Sequence, residues 1–188
     1  MIKRGDKTEL KAFRLVNTDK RKAISIFEDY LKEHPKNEEV YCGLTKIYFS
    51  LQEYENVFAS AQKALQLMPN YNDVLYILSY SQIKQKKYAE AEKNISLMLN
   101  ENELSPDAIF LRANIKTAKG EFQNALKDLD YVLTRKPKNA DAFILGMYVL
   151  GNLNLWNKVE YAGMTALKFH PENVKIIVMI KLICLVES

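Results

Sequence analysis

A period of 34 residues constrains this chain more than any other feature of it. Leu31, Leu65, Leu99, Leu133 and Leu167 form one column, each 34 residues from the next. Tyr54, Tyr88, Phe122 and Trp156 form an aromatic column with the same step, and Ala23, Val57, Ala91, Ala125 and Val159 a column of small apolar residues. Pro35, Pro69, Pro137 and Pro171 form a fourth, with Glu103 in the place of the missing proline. Columns in register at such a spacing are the mark of a helical repeat array.

The clearest unit, residues 38–71, reads as two amphipathic helices joined by a tight turn, EEVYCGLTKIYFSL then EYENVFASAQKALQLM. The period predicts a degenerate unit over about 4–37, then units 38–71, 72–105, 106–139 and 140–173. A helix over 174–188 closes a single domain of 1–188. The fold class expected is all-α. Local signals agree. Asn37 is placed to cap the first helix of its unit, and Glu38 and Glu39 complement the helix dipole. Ser105, Pro106 and Asp107 open another helix as N-cap, first position and first turn. Thr18-Asp19 starts a helix carrying Ala23, Ile24, Ile26, Phe27, Tyr30 and Leu31 at helical spacing. The helix before it is short and basic, with Leu10, Phe13, Leu15 and Val16 to bury, and Lys20 replaces the column aromatic, as suits a terminal cap.

Within-repeat turns hold Gln52, Lys86, Gly120 and Asn154 at matching places. Glycine adopts a left-handed turn conformation most cheaply, so the other three turns are expected to be less tight or slightly strained. Gly146 and Gly151 weaken their helix by about 1 kcal/mol each unless close packing needs them.

These columns resemble the tetratricopeptide repeat (TPR) family. Its pattern puts an aromatic at the start of the second helix, a small residue three places later, an Ala-Leu pair near the end and a closing proline. Here those are Tyr54, Val57, Ala64-Leu65 and Pro69, with the next units following at Tyr88, Phe122 and Trp156. The resemblance covers residues 4 to 173 and implies a right-handed α-solenoid of stacked helix-turn-helix repeats. It also implies that the first helices line a concave face that binds protein segments.

The net charge of +4 is spread unevenly: residues 1–37 carry 10 basic and 6 acidic groups, and 106–139 carry 7 and 4. That is too mild and too interleaved for a nucleic-acid footprint. Cys42 and Cys184 stand about four repeats apart, which excludes a disulfide framework or a zinc site built on them. The segment MIKRGDKTELKAF lacks a signal-peptide core, so a cytoplasmic protein is expected. The stretch VKIIVMIKLICLVES is apolar nearly all round, yet shorter than the ~20 residues that span a bilayer. Membrane insertion is not expected. The stretch is wrapped by its neighbours, makes a homo-oligomer contact through 174–186, or is the first helix of a further repeat.

Chemistry is hard to find. His34 and His170 each precede a proline four periods apart and share no site. Asp128 with Asp130, and Glu90 with Glu92, stand two residues apart and read as solvated faces. Without a phosphate loop, a zinc motif or an activated nucleophile, neither an enzyme, a metal site nor a cofactor is expected.

Helical spacing from the core columns places Glu39, Cys42, Lys46 and Phe49 on the first-helix face, then Asp73, Tyr76, Tyr80 and Ile83. Asp107, Phe110, Asn114 and Thr117 follow, then Asp141, Ile144 and Tyr148. Phe49, Tyr76, Tyr80, Phe110, Asn114 and Tyr148 are the candidate partner-binding residues, with the aromatics as anchors. The acidic column Glu39, Asp73, Asp107 and Asp141 lies in first turns, where dipole stabilisation accounts for it. The Lys-Asn-Asn-Lys-Arg set with which TPR proteins clamp the carboxylate terminus of heat-shock chaperones is not matched. Its places hold Thr8, Ala12, Gly43, Asp73 and Ile77, or Cys42, Lys46, Ile77, Asp107 and Leu111. The function expected is a non-catalytic scaffold binding a peptide or helix of another protein. The alternatives are a chaperone-like holder of a client segment and a scaffold that self-assembles through the last helix.

Overall fold

A computed structural model describes residues 7–99 and 104–186, with side chains from 11 to 99 and from 104 to 182. Glu103 and the side chains of Leu10 and Cys184 lie outside them. The described residues form helices joined by turns, in two compact units, Met1–Met98 and Leu99–Ser188.

The first unit holds α1 (Lys7–Leu15), α2 (Lys20–Glu33), α3 (Glu38–Ser50), α4 (Tyr54–Leu67), α5 (Asn72–Lys84) and α6 (Tyr88–Met98). The second holds α7 (Pro106–Ala118), α8 (Phe122–Arg135), α9 (Ala140–Asn152), α10 (Trp156–Phe169) and α11 (Val174–Val186). First helices open at 38, 72, 106, 140 and 174, so the period seen in the sequence is the period of the structure.

Caps set those starts. Asn37, Ser105 and Asn139 each accept a hydrogen bond from the backbone N–H three residues on, satisfying a donor that the helix leaves unpaired. Asn173 does the same for Ile176 at 3.3 Å. Asp19 caps α2 through the Lys22 N–H, as its sequence position predicts. Tyr71 stands in the same column without a side-chain cap.

The turns inside the repeats are all equally tight. Gln52, Lys86, Gly120 and Asn154 sit at φ of 59°, 60°, 77° and 57°. Each turn closes with the same long bond, from Glu53 N–H to the Tyr48 carbonyl at 3.0 Å, and from Lys87 to Gln82 at 2.8 Å. Glu121 to Lys116 and Leu155 to Leu150 repeat it. This is the Schellman closure of a helix end. Of the two outcomes expected of turns without glycine, looser or slightly strained, the structure shows the second: the repeat geometry imposes the left-handed residue, and Gln52 and Lys86 carry the strain.

In the first unit, Phe27, Val40, Ile47 and Val57 form the centre of a core to which α1 contributes Ala12. Phe13 meets Phe27 edge-on at 4.8 Å, so the degenerate first repeat is packed like the others. In the second unit Met147, Val159, Ala166 and Ile176 form a core around which Met179 and Ile180 pack. Gly163 is needed there: a β-carbon on it would lie 2.6 Å from Ile180 Cγ1 and 2.9 Å from Met147 Cε. Gly146 has nothing within 4 Å of such an atom, and at Gly151 it would meet Trp156 at 3.3 Å.

Candidate partner-binding face

In the first unit, the predicted aromatics of α3 and α5 come together. Phe49 meets Tyr80 edge-on with ring centroids 5.7 Å apart, and Tyr80 stacks beside Tyr76 at 6.3 Å. Tyr76 and Tyr80 are one helical turn apart, so α5 presents both on one face. All three are half-buried. Phe49 and Tyr76 pack against the core cluster and stay partly exposed. The Lys84 ammonium stands 5.0 Å from the Tyr80 ring, within cation–π range. Lys46 on α3 pairs with Asp73 on α5 at 2.8 Å, so the edge of this patch is charged but internally neutralised.

The second unit treats its predicted residues differently. Phe110 is only 5% exposed, so it is a core residue and not an available anchor. The cause is visible along α7, where Ala108, Ile109, Phe110 and Leu111 are buried consecutively and no face of that turn stays open. Asn114 turns its amide to the Phe110 carbonyl at 2.9 Å, spending a donor on its own helix. Tyr148, 53% exposed, borders a cavity of about 360 Å³ with Met147, Trp156, Met179 and Leu182. Sequence spacing gave no sign of that cavity, because Met179 and Leu182 enter it from α11, outside the matched repeats.

Two further expectations are corrected. Cys42 does not lie open on the first-helix face; it packs against Ala61, Ala64 and Val74. Burial pushes its thiol up to about 11, which leaves it protonated and unreactive. Asp128 is not a solvated carboxylate. It is 5% exposed and accepts two hydrogen bonds from Arg112, at 2.9 and 2.7 Å, and one from Lys116 at 2.7 Å.

No protein-family model matches the sequence, and no curated protein matches it. Solved structures do match. A tetratricopeptide repeat protein from Parabacteroides merdae ATCC 43184 superposes with a TM-score of 0.83 at 17% identity, over 96% of this chain and 70% of that one. The chain has the tetratricopeptide-repeat fold. PilW, a type IV pilus biogenesis factor, shares this TPR fold at a TM-score of 0.75 and 18% identity, over 89% of this chain and 80% of PilW. Human IFIT1, solved as a dimer with m7Gppp-AAAA, matches at 0.74 and 15%, over 95% of this chain and 45% of IFIT1. At these identities the likeness is one of fold.

On this TPR scaffold the acidic column behaves as helix-end chemistry. Glu39, Asp73, Asp107 and Asp141 each lie in the first turn of a first helix. Asp107 also pairs with Lys136 at 2.6 Å, as Asp73 does with Lys46. His34 stacks on Tyr30 at 4.2 Å, and His170 Nε2 donates to the Lys138 carbonyl at 2.7 Å. Among the described residues no cluster of three or more His, Cys, Asp or Glu could hold a metal. None of the described helices is long and apolar enough to cross a membrane.

Proposed function

We propose that this chain is a non-catalytic TPR scaffold that binds a peptide or helix of a partner protein on the first-helix face of its first unit. The observation that carries this reading is the Phe49–Tyr80–Tyr76 set. Phe49 and Tyr76 pack against the core, Tyr80 is held by ring contacts with both, and all three stay partly exposed; such rigid anchors lose little side-chain entropy when a partner docks. The partner presents an apolar side chain to the rings and accommodates the Lys46–Asp73 pair at the edge. A chaperone-like holder of a client segment would use the same face in the same way. A nucleic-acid ligand, which the likeness to IFIT1 raises, is disfavoured because Asp73 neutralises Lys46 beside the rings. Self-assembly through 174–186 is the weaker reading. It draws on the exposed Val174, Val178 and Leu182, yet α11 contains Lys175 and Lys181 and no carboxylate.

Peptides selected from a displayed library against the intact chain test the proposal. Tyr76→Ala with Tyr80→Ala should weaken the best binder by about tenfold or more, the loss of one strong hot spot or several moderate ones. Tyr161→Ala, 76% exposed on α10, serves as the control and should change nothing. Equal binding by wild type and the double variant would remove this face from the function.

A further inference from the structure

The cavity beside Tyr148 has a counterpart in the first unit, and there it is filled. Three periods earlier, Gly151 falls on Phe49, Met179 on Ile77, Leu182 on Tyr80 and Trp156 on Tyr54. The Phe49 ring packs against the core cluster that contains Ile77 and meets Tyr80 edge-on at 5.7 Å. In α9 no side chain enters this place, because Gly151 has none. What remains between α9, α10 and α11 is the opening of about 360 Å³.

Packing does not force a glycine here. A β-carbon on Gly151 would meet the Trp156 ring at 3.3 Å, a contact that a small shift of the indole relieves. Glycine also weakens a helix interior. Its structural effect at 151 is the space it leaves.

The opening belongs to the first-helix face itself. Lys46, Tyr80, Asn114, Tyr148 and Leu182 form one column with the 34-residue step. The first four lie in repeats whose second helices are present, and none of them is buried. A repeat's second helix lies on other columns: Cys42 packs on Ala61 and Ala64 of α4, and Thr45 Oγ1 donates to Ser60 Oγ at 3.0 Å. Val178 and Lys181 hold those columns in α11, and neither lines the cavity. A further helix packed there would leave the cavity open.

The lining selects the occupant. Met147, Val159, Met179 and Leu182 offer apolar surface, Tyr148 and Trp156 offer rings, and no lining residue is charged. Thioethers such as those of Met147 and Met179 make favourable contacts with aromatic rings. Free small molecules are oriented by convergent polar groups. Here the Asn152 amide donates to the Tyr148 carbonyl at 2.9 Å, so it is turned to its own helix. A neutral ring carried on a peptide needs no such groups, because its backbone orients it. Space is sufficient, since an enclosed apolar cavity of about 150 Å³ holds benzene.

We propose that the cavity between α9, α10 and α11 is a slot for an aromatic side chain of a partner segment, with phenylalanine the best fit because Phe49 fills the same place in the first unit. The slot uses none of the Phe49–Tyr80–Tyr76 rings and stands independently of the reading built on them.

The probe is N-acetyl-phenylalaninamide, titrated into the full chain with its methionine methyls isotope-labelled for NMR. Ring currents should move the Met147 and Met179 signals saturably, while those of Met68 and Met98 stay in place. Emission from Trp156, the single tryptophan, should change along the same curve. N-acetyl-alaninamide should leave both readouts unchanged. Gly151→Leu fills the slot and should abolish the response, with circular dichroism and the Met68 and Met98 signals reporting an intact fold. Leu182→Asp, at an exposed position on the rim, should abolish it as well. The chain with Tyr76→Ala and Tyr80→Ala should respond as wild type does, which separates failure of this site from failure of the first-unit face. No saturable response, or one that survives both Gly151→Leu and Leu182→Asp, would overturn the proposal. So would toluene moving the Met147 and Met179 signals where N-acetyl-phenylalaninamide does not, because the cavity would then take free aromatic molecules and exclude a side chain on its backbone.

Discussion

At the scale of single residues, Asp128 shows what spacing along a chain does and does not reveal. Asp128 and Asp130 stand two apart, and a helix turns such neighbours to different faces, so only Asp130 is exposed. The groups that decide Asp128's role, Arg112 and Lys116, lie one turn apart on α7, 16 and 12 residues earlier. Nothing within α8 announces them. Burial alone would push the Asp128 carboxyl up, but the hydrogen bonds from Arg112 and Lys116 outweigh it and hold it below the usual carboxylate range. A carboxylate whose folded pKa is depressed contributes stability that is present above its unfolded value of about 3.9 and lost as pH falls through the folded one. Asp128→Asn should therefore lower stability at pH 7 by about 2 kcal/mol. That is less than a fully buried ion pair would lose, because Arg112 and Lys116 remain partly exposed to water. Urea melts at pH 7 and pH 3 check this: the gap between variant and wild type should narrow in acid, and a constant gap would refute the assignment. Phe110 teaches a similar lesson. Its column was legible, but whether Cys42, Tyr76, Phe110 or Ile144 stays open depends on the side chains packed around each helix.

The helices and their turns were the most legible elements. Column aromatics mark the starts of α4, α6, α8 and α10, and caps mark most of the first helices, because local hydrogen bonding dictates both. The turn geometry was legible only in part, since its left-handed residue is imposed by the closing bond whatever side chain sits there. A non-glycine residue in that conformation costs roughly 1 kcal/mol. Lys86→Gly should thus stabilise the protein by up to about 1 kcal/mol, the relief of strain being partly offset by the freer unfolded chain. Gly120→Ala should destabilise it by about as much. Thermal midpoints report both directions. If Lys86→Gly lowered the midpoint, the turn would not be under strain.

At the scale of the whole molecule, the period gave the repeat plan, while the division after Met98 showed among the columns only as the gap in the proline column. It falls where α6 is shorter, at 11 residues against 14 in α4, α8 and α10, and where the closing proline is missing. The C-terminal helix was legible as an anomaly, but how it packs was not, because the missing side chain at Gly163 gives no sign that Ile180 fills its place. Repeat arrays are stabilised by each repeat and its immediate neighbours. Removing residues 174–188 strips Ile176, Met179 and Ile180 from Met147, Val159 and Ala166, and leaves the α1–α5 core around Phe27 with all its own side chains. Amide hydrogen exchange should then accelerate in α9 and α10 by about tenfold or more, while α3 and α4 keep their protection. Uniform acceleration in every helix would mean that the chain unfolds as one cooperative block, and that α11 stabilises all of it rather than the repeat on which it rests.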